Sequence, residues 1–311
     1  MSRIFDALQR SGTEQSGVEY PDMVSIATAV FEVPGGQAPA EAVESPAHVD
    51  EPAILPLQDR DHDAVAEHQT QENAKCAPEF PSLEVSVQPS SRLVFFTQPE
   101  SLAAEKFRFL GVRLRQMRQS RPLKKVLVTS TIPEEGKSLV SANLAGVLAR
   151  RKERVLLIEG DMRRPTLADQ LGLGRLAGLA EWLQGGLQTP SNIYHLGAPG
   201  FWIMPAGDPP PNTLELMQSG RLSMLLGQLT TLFDWIVVDS PPLLPLADTT
   251  VWARLTDGTL LVAREGKTEK RQLERGLEII KKSDLLGVVL NGCSHTDHDS
   301  YYQRYAPPGT K

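Results

Sequence analysis

Cysteine is nearly absent: the 311 residues contain only Cys76 and Cys293. Two thiols cannot build a disulfide framework, and neither has a neighbour at metal-ligand spacing, so both read as ordinary reduced thiols of a cytosolic protein. Long hydrophobic runs are missing too. No stretch of roughly 18 apolar residues occurs, which excludes a membrane-spanning helix. The opening MSRIFDALQRS lacks the apolar core of a secretory signal. If the protein works at a membrane, a partner is expected to hold it there. There is no internal repeat.

Charge is unevenly distributed. Residues 1–90 carry 16 acidic and 4 basic residues, whereas the remainder carries 22 acidic and 28 basic. Residues 11–91 are rich in Pro, Glu, Asp, Ala and Gln without sustained periodicity, a composition that cannot bury enough apolar surface to offset chain entropy. Residues 1–91 are therefore expected to form a disordered, self-repelling arm. At its tip, Ile4, Phe5 and Leu8 share one face of a short amphipathic segment (1–10), which suits either a docking helix or a solubilising end.

From residue 92 the pattern changes. Ser101 can cap a helix over 101–118 in which Phe107, Leu110, Leu114 and Met117 recur at helical spacing. Its other face carries Lys106, Arg108, Arg113, Arg115 and Arg118. That face reads as solvated or as a subunit contact, not as a nucleic-acid site. Strand and helix then alternate. KVLVTS (125–130), RVLLIE (154–159), DWIVVD (234–239), TLLVAR (259–264) and LGVVLN (286–291) are short β-branched runs. Helical stretches follow at 137–150, 213–218, 221–231 and 268–282. Continuous apolar strands without alternation imply a sheet covered on both faces, hence an α/β fold with a doubly wound, mostly parallel sheet.

The chemistry concentrates at three strand ends. In VTSTIPEEGKS (128–138), a buried strand, a loop and the start of a helix meet at Gly136-Lys137-Ser138. This is the layout of a Walker A loop, in which backbone N–H groups and the helix N-terminus hold phosphates. Lys137 would reach the β- and γ-phosphates of ATP and the Ser138 hydroxyl would ligate Mg2+. The first glycine of the usual pattern is replaced by Thr131. Asp239 ends a second buried strand, where a Walker B carboxylate sits. Glu159 and Asp161 end a third, followed by Arg163 and Arg164; two carboxylates there can hold metal or accept a proton from an attacking hydroxyl. A surface ion-pair cluster is the simpler alternative for that group. In the polar tail SHTDHDSYYQRYAPPGTK, Tyr301, Tyr302 and Tyr305 make up three of the five tyrosines of the chain. Tyrosines in a segment with no core to join suit phosphorylation or an aromatic docking patch.

Together these residues resemble the bacterial tyrosine kinases of capsule and exopolysaccharide loci, over roughly residues 100–305. The resemblance rests on P-x-E-G-K-S, the acid-x-Asp-x-Arg after an apolar strand, and D-x-P-P. It extends to PAGDPPPNTLEL (205–216), LADTT (246–250), VAREGKT (262–268), GVVLNG (287–292) and the tyrosine cluster. It implies a P-loop NTPase fold of the deviant-Walker class shared with MinD and ParA ATPases. It also implies a kinase domain over 92–293 and a flexible tail over 294–311. By the same resemblance Lys137, Glu159, Asp161 and Asp239 are catalytic, and Ser138, Asp161 and Asp239 position Mg2+. Glu135, Gly136, Lys137, Ser138, Leu139, Arg264 and Asn291 bind ATP, with Asn291 near the adenine. Tyr301, Tyr302 and Tyr305 accept phosphate. The implied partners are a membrane-anchored polysaccharide co-polymerase that activates the kinase at the inner face of the plasma membrane, and further copies of the chain assembled through the 101–118 helix.

The alternatives are an ATP-binding adaptor of the same system and a MinD/ParA-type switch. The latter usually carries an early loop lysine, absent from Ser130, Thr131, Ile132 and Pro133. Three positions depart from the family pattern. Glu134 replaces a loop glycine, which implies a different backbone conformation there. Glu159 replaces an aspartate. In the oligomerisation motif E-x2-R-x2-R, Glu105 and Arg108 are followed by Gly111, with Arg113 and Arg115 as the nearest substitutes for the missing arginine.

Overall fold

The apolar runs become the centre of one sheet. The computed structural model describes residues 80–85, 87–88, 91–185, 191–197, 200–280 and 284–293. Its strands are β1 (Ser82–Leu83), β2 (Lys125–Ser130), β3 (Val155–Glu159), β4 (Tyr194–Leu196), β5 (Phe201–Met204), β6 (Trp235–Asp239), β7 (Gly258–Arg264) and β8 (Leu285–Asn291). The helices are α1 (Val94–Thr97), α2 (Leu102–Ser120), α3 (Lys137–Ala149), α4 (Leu167–Gln170), α5 (Leu179–Gln184), α6 (Thr213–Gln218), α7 (Arg221–Leu232), α8 (Asp248–Leu255) and α9 (Lys270–Ile279). The strand order is β1-β4-β5-β3-β6-β2-β7-β8. Every pairing is parallel except β4 with β5, so the sheet is mostly parallel as the sequence implied.

The lack of alternation in the central strands has the expected cause: both faces are covered. Val126, Val128, Val155, Leu157 and Val237 join a core with Phe107, Leu110 and Leu114 of α2 and Leu144 and Leu148 of α3. Their neighbours Leu127, Leu156, Ile158, Ile236 and Val238 pack on the other face with Trp182, Leu225, Leu229 and Trp252. Leu261, Ala263 and Val288 meet Leu273 of α9 in a third, smaller core. Burying a large aliphatic side chain contributes about 1.5–3 kcal/mol, so this two-sided cover is what fixes the strands in place.

Parallel pairing puts all C-terminal strand ends on one edge. Asp239 lies beside both Val128 of β2 and Glu159 of β3, and Arg264 lies beside Asn291. The chain leaves β2 for β3 on one side while β7 lies on the other, so the strand order reverses at β2 and opens a crevice above it.

One boundary moves. Regular structure begins at Ser82, within the segment assigned to the arm, because β1 adds to the sheet edge by backbone pairing with β4. A two-residue strand leaves no periodicity to read. The short β4–β5 pair was not visible in the sequence for the same reason. Residues 1–79, including the amphipathic tip, lie outside the described residues, as does the tail from 294.

Helix α2 corrects the reading of its charged face. Ser101 caps it, accepting from the Ala104 N–H at 3.2 Å. Lys106 is buried, and Arg115 donates to Glu153 Oε2 at 2.7 Å and to the Leu148 carbonyl at 2.9 Å. Arg115 is thus engaged within the fold. Gly111 faces α3 so closely that an added Cβ would lie 2.9 Å from Val147 Cγ1. A side chain there must push Val147 aside.

Gly111→Arg is therefore expected to overpack the α2–α3 crossing and cost about 1–3 kcal/mol, seen as a Tm lowered by several degrees in thermal unfolding. An unchanged Tm would mean that position 111 is open to solvent.

Candidate functional site

The loop from Thr131 to Gly136 is shaped by side chains that point into it. Glu135 is fully buried and accepts from Thr131 Oγ1 at 3.1 and 3.0 Å, from the Ile132 N–H at 2.9 Å and from Thr268 Oγ1. This carboxylate ties the loop from inside. Thr131, standing where a glycine is usual, finds room because α9 presents Gly276: a Cβ on Gly276 would lie 2.5 Å from Thr131 Cγ2.

Two residues of the loop have left-handed backbone. Gly136 has φ 97°, and a Cβ there would collide with the Asn291 amide. Glu134 has φ 65° although it is not glycine. The expectation of a different conformation at 134 is thereby overturned: the glutamate takes the conformation that a glycine would favour. Lys267 Nζ lies 2.6 Å from Glu134 Oε2, and Arg264 Nη1 donates to the Glu134 carbonyl at 3.1 Å. The hydrogen bond and charge of Lys267 hold the Glu134 carboxyl below its ordinary pKa. Asn291 Nδ2 donates to the Glu135 carbonyl at 2.9 Å, so the structure places this side chain against the loop backbone. Leu139 packs at the rim of the core. The first-turn N–H groups of α3 have no intrahelical acceptor and open towards the crevice side of the sheet.

Lys137 is the electrostatic centre. Its Nζ lies 3.2 Å from Asp161 Oδ2, 3.9 Å from Asp239 Oδ1 and 3.4 Å from Ser138 Oγ. Burial alone would pull the Lys137 pKa down, but Asp239, Asp161 and Glu159 outweigh it and hold the value above normal. For Asp239 burial dominates and pushes the carboxyl up, against Lys137 and the Ser138 and Ser141 hydroxyls. Ser141, one helical turn beyond Lys137, donates to Asp239 Oδ1 at 3.4 Å and was not anticipated.

Glu159 is not arranged as a base. Its Oε1 accepts from the Thr166 and Leu167 N–H groups at 2.7 and 2.5 Å, and its Oε2 from the Ala206 N–H at 3.1 Å. Burial raises its pKa, and the Leu167 and Ala206 N–H groups work against that rise. With both oxygens occupied by backbone, Glu159 organises the loops that follow β3 and β5. Asp161 is different: one oxygen takes the Arg164 N–H at 3.1 Å and the other faces Lys137. Arg163 pairs with buried Asp248 through Nε at 2.6 Å and Nη2 at 3.2 Å, anchoring the segment after β3 to α8. Thr268, Lys267 and Asp248 belong to VAREGKT and LADTT, where the sequence offered a motif but no role. The three tail tyrosines lie outside the described residues.

The donor set suits a nucleotide with a hard cation. The Ser138 hydroxyl and the Asp161 and Asp239 carboxylates are oxygen ligands of the kind Mg2+ takes together with substrate phosphates. Among the described residues no group of three or more His, Cys, Asp or Glu is placed to hold a metal by itself. A cation here would therefore share its ligands with phosphate.

No family model matches the chain. It is, however, 33% identical to tyrosine-protein kinase YwqD of Bacillus subtilis over 211 residues, 67% of this chain and 89% of that protein. Tyrosine-protein kinase wzc of Salmonella typhimurium is 31% identical over 203 residues, 65% of this chain but only 28% of that much longer protein. Among solved structures, the kinase domain of Escherichia coli tyrosine kinase ETK aligns with a TM-score of 0.61 at 30% identity, covering 64% of this chain and 79% of that one. The chimerical protein CapA2B2 aligns with the same TM-score at 29% identity, covering 68% and 93%. No helix among the described residues is long and apolar enough to cross a membrane.

Two substitutions separate the acids. Glu159→Gln turns an NH2 against backbone donors, so it should cost about 1–3 kcal/mol of stability in thermal unfolding. Asp161→Asn should leave Tm near the parent value. Equal Tm values for parent and Glu159→Gln would contradict the loop-organising role.

A pH dependence follows from Lys137→Met in metal-free buffer. Without the ammonium, the raised pKa of Asp239 rises further. A carboxyl with a raised folded pKa contributes stability below its unfolded pKa and loses it as pH climbs through the folded one. The stability gap between parent and variant should therefore be small near about pH 4 and widen towards neutrality. A gap that narrows with rising pH would overturn this account of the Lys137 cluster.

Proposed function

The chain belongs to the family of bacterial tyrosine-protein kinases, and on that premise we propose that it transfers the γ-phosphate of ATP to tyrosines of its own tail in control of exopolysaccharide or capsule synthesis. The observation that carries this reading is the Lys137 ammonium set between Asp161 and Asp239 where the loop meets α3. Phosphates entering the crevice would meet the first-turn N–H groups of α3 and the Lys137 ammonium. Ser138, Asp161 and Asp239 would hold Mg2+, which neutralises charge on the phosphates. Asp161, rather than Glu159, would take the proton from the tyrosine hydroxyl as its oxygen bonds to phosphorus and the bond to the β-phosphate oxygen breaks. Lys137 then faces the negative charge that gathers on the transferred group. Arg264 and Asn291 flank the loop and would adjoin the nucleotide.

The acceptors are Tyr301, Tyr302 and Tyr305 of a neighbouring copy, brought in by self-association that involves α2. The remaining partner is a membrane-anchored polysaccharide co-polymerase that recruits the chain from the cytoplasm to the inner face of the plasma membrane. Because such a transfer is mostly positioning, the subunit contact sets its rate. The inward Gly111 leaves that contact without its second motif arginine, and Arg115 is engaged with Glu153, which favours, as a second reading, an ATP-binding adaptor with weak transfer.

Incubation of the full chain with Mg-ATP, followed by peptide mass spectrometry, decides between them. Phosphate is expected on Tyr301, Tyr302 or Tyr305, and at least about a hundredfold less with Lys137→Met. Nucleotide binding with no phosphotyrosine, with or without an activator tail, would select the adaptor. Equal labelling of Lys137→Met and parent would sink the kinase assignment to this site.

A further inference from the structure

Glu134 presents a physical problem that the loop has to solve. A carboxylate stands three residues before the helix that would bind phosphate, and its backbone is left-handed, a conformation that disfavours residues with a Cβ. Both features oppose an anion site: one repels phosphate, the other weakens the turn that aims the N–H groups.

The turn after β7 answers both. Gly266, itself left-handed at φ 72°, lets residues 264–268 fold back on the loop. The Lys267 and Thr268 N–H groups return to the Arg264 carbonyl at 3.2 and 2.9 Å. The Thr268 hydroxyl accepts from the Arg264 N–H at 2.7 Å and donates to Glu135. Arg264 holds the Glu134 carbonyl, and Lys267 reaches the Glu134 carboxylate at 2.6 Å. Thr268 therefore fixes the base of the turn on the inner side of the loop, and Lys267 and Arg264 grip the residue with the unfavourable φ from the outer side.

We propose that Lys267 is a positioning residue for the nucleotide: it cancels the Glu134 charge and holds the left-handed turn that a glycine at 134 would keep unaided. This rests on the nucleotide-binding reading of the loop. Its magnitude is bounded by exposure. The Glu134 side chain is 82% exposed and that of Lys267 33%, so the pair is screened by solvent and salt and its effect is modest.

The test is a double-mutant cycle on the full chain, with Mg-ADP affinity read by titration calorimetry at about 0.05 M and about 0.5 M salt. Lys267→Met should weaken binding roughly twofold to fivefold at low salt. The loss should shrink at high salt, and Lys267→Arg should restore most of it. In the Glu134→Gly background, Lys267→Met should change affinity little, because the charge and the strained turn are both gone. The same loss in both backgrounds would mean that Lys267 acts on the nucleotide directly and would overturn the proposal, as would no loss in the parent. A parent that binds no Mg-ADP would overturn the functional reading as well, whereas a parent that binds with a flat cycle overturns this inference alone.

Discussion

The structure turns on keeping a lysine charged in a place where burial opposes charge. Lys137 is largely withdrawn from solvent, and so are Asp161 and Asp239, with side chains 12%, 8% and 1% exposed. Three such charges cost several kcal/mol each to desolvate and recover it only with good geometry and further hydrogen bonds. The sheet supplies the geometry. Parallel pairing brings the ends of β2, β3 and β6 to one edge, and the residues that follow them turn into the same crevice. Ser138 and Ser141 supply hydroxyls to Asp239 from the first turns of α3. The cluster nevertheless holds two carboxylates against one ammonium, with the Asp239 carboxyl raised by burial. A divalent cation arriving with phosphates would relieve that excess, so the site is built to be completed by its substrate.

The central fold was legible because burial on two faces leaves a simple trace. KVLVTS matches its strand residue for residue, and the runs at β3, β6, β7 and β8 lie within one residue of their strands at each end. The loop was legible as well, since Gly136, Lys137 and Ser138 sit where a strand passes into a helix. What sequence could not show is which way a polar side chain turns. The resemblance implied that Glu135 binds nucleotide and that Glu159 is catalytic. Both point inward, because backbone N–H groups and threonine hydroxyls that cannot reach water need an acceptor. Arg115 looked like part of a solvated face and instead reaches back to Glu153. Part of each direction is set by a partner far away in the chain, Thr268 for Glu135, Ala206 for Glu159 and Glu153 for Arg115, and a one-dimensional pattern does not carry them.

The departures from the family pattern bear on whether the site is maintained or decaying. Each is matched by a neighbour. Thr131 fits because α9 has Gly276, and Glu134 is held by Lys267 and Arg264. Glu159, one methylene longer than aspartate, spans from β3 to the N–H groups of Thr166 and Leu167 on one side and Ala206 on the other. Gly111 lets α2 approach Val147 of α3. A site that had lost its task would keep the packing partners, which serve stability, but would have no reason to keep Lys137 buried between two carboxylates. That cluster is the most expensive arrangement near the loop, and a hydrophobic residue of similar volume could fill the space at no greater cost in folding. Its presence beside compensated departures argues that the loop has been rebuilt around a nucleotide site still in use.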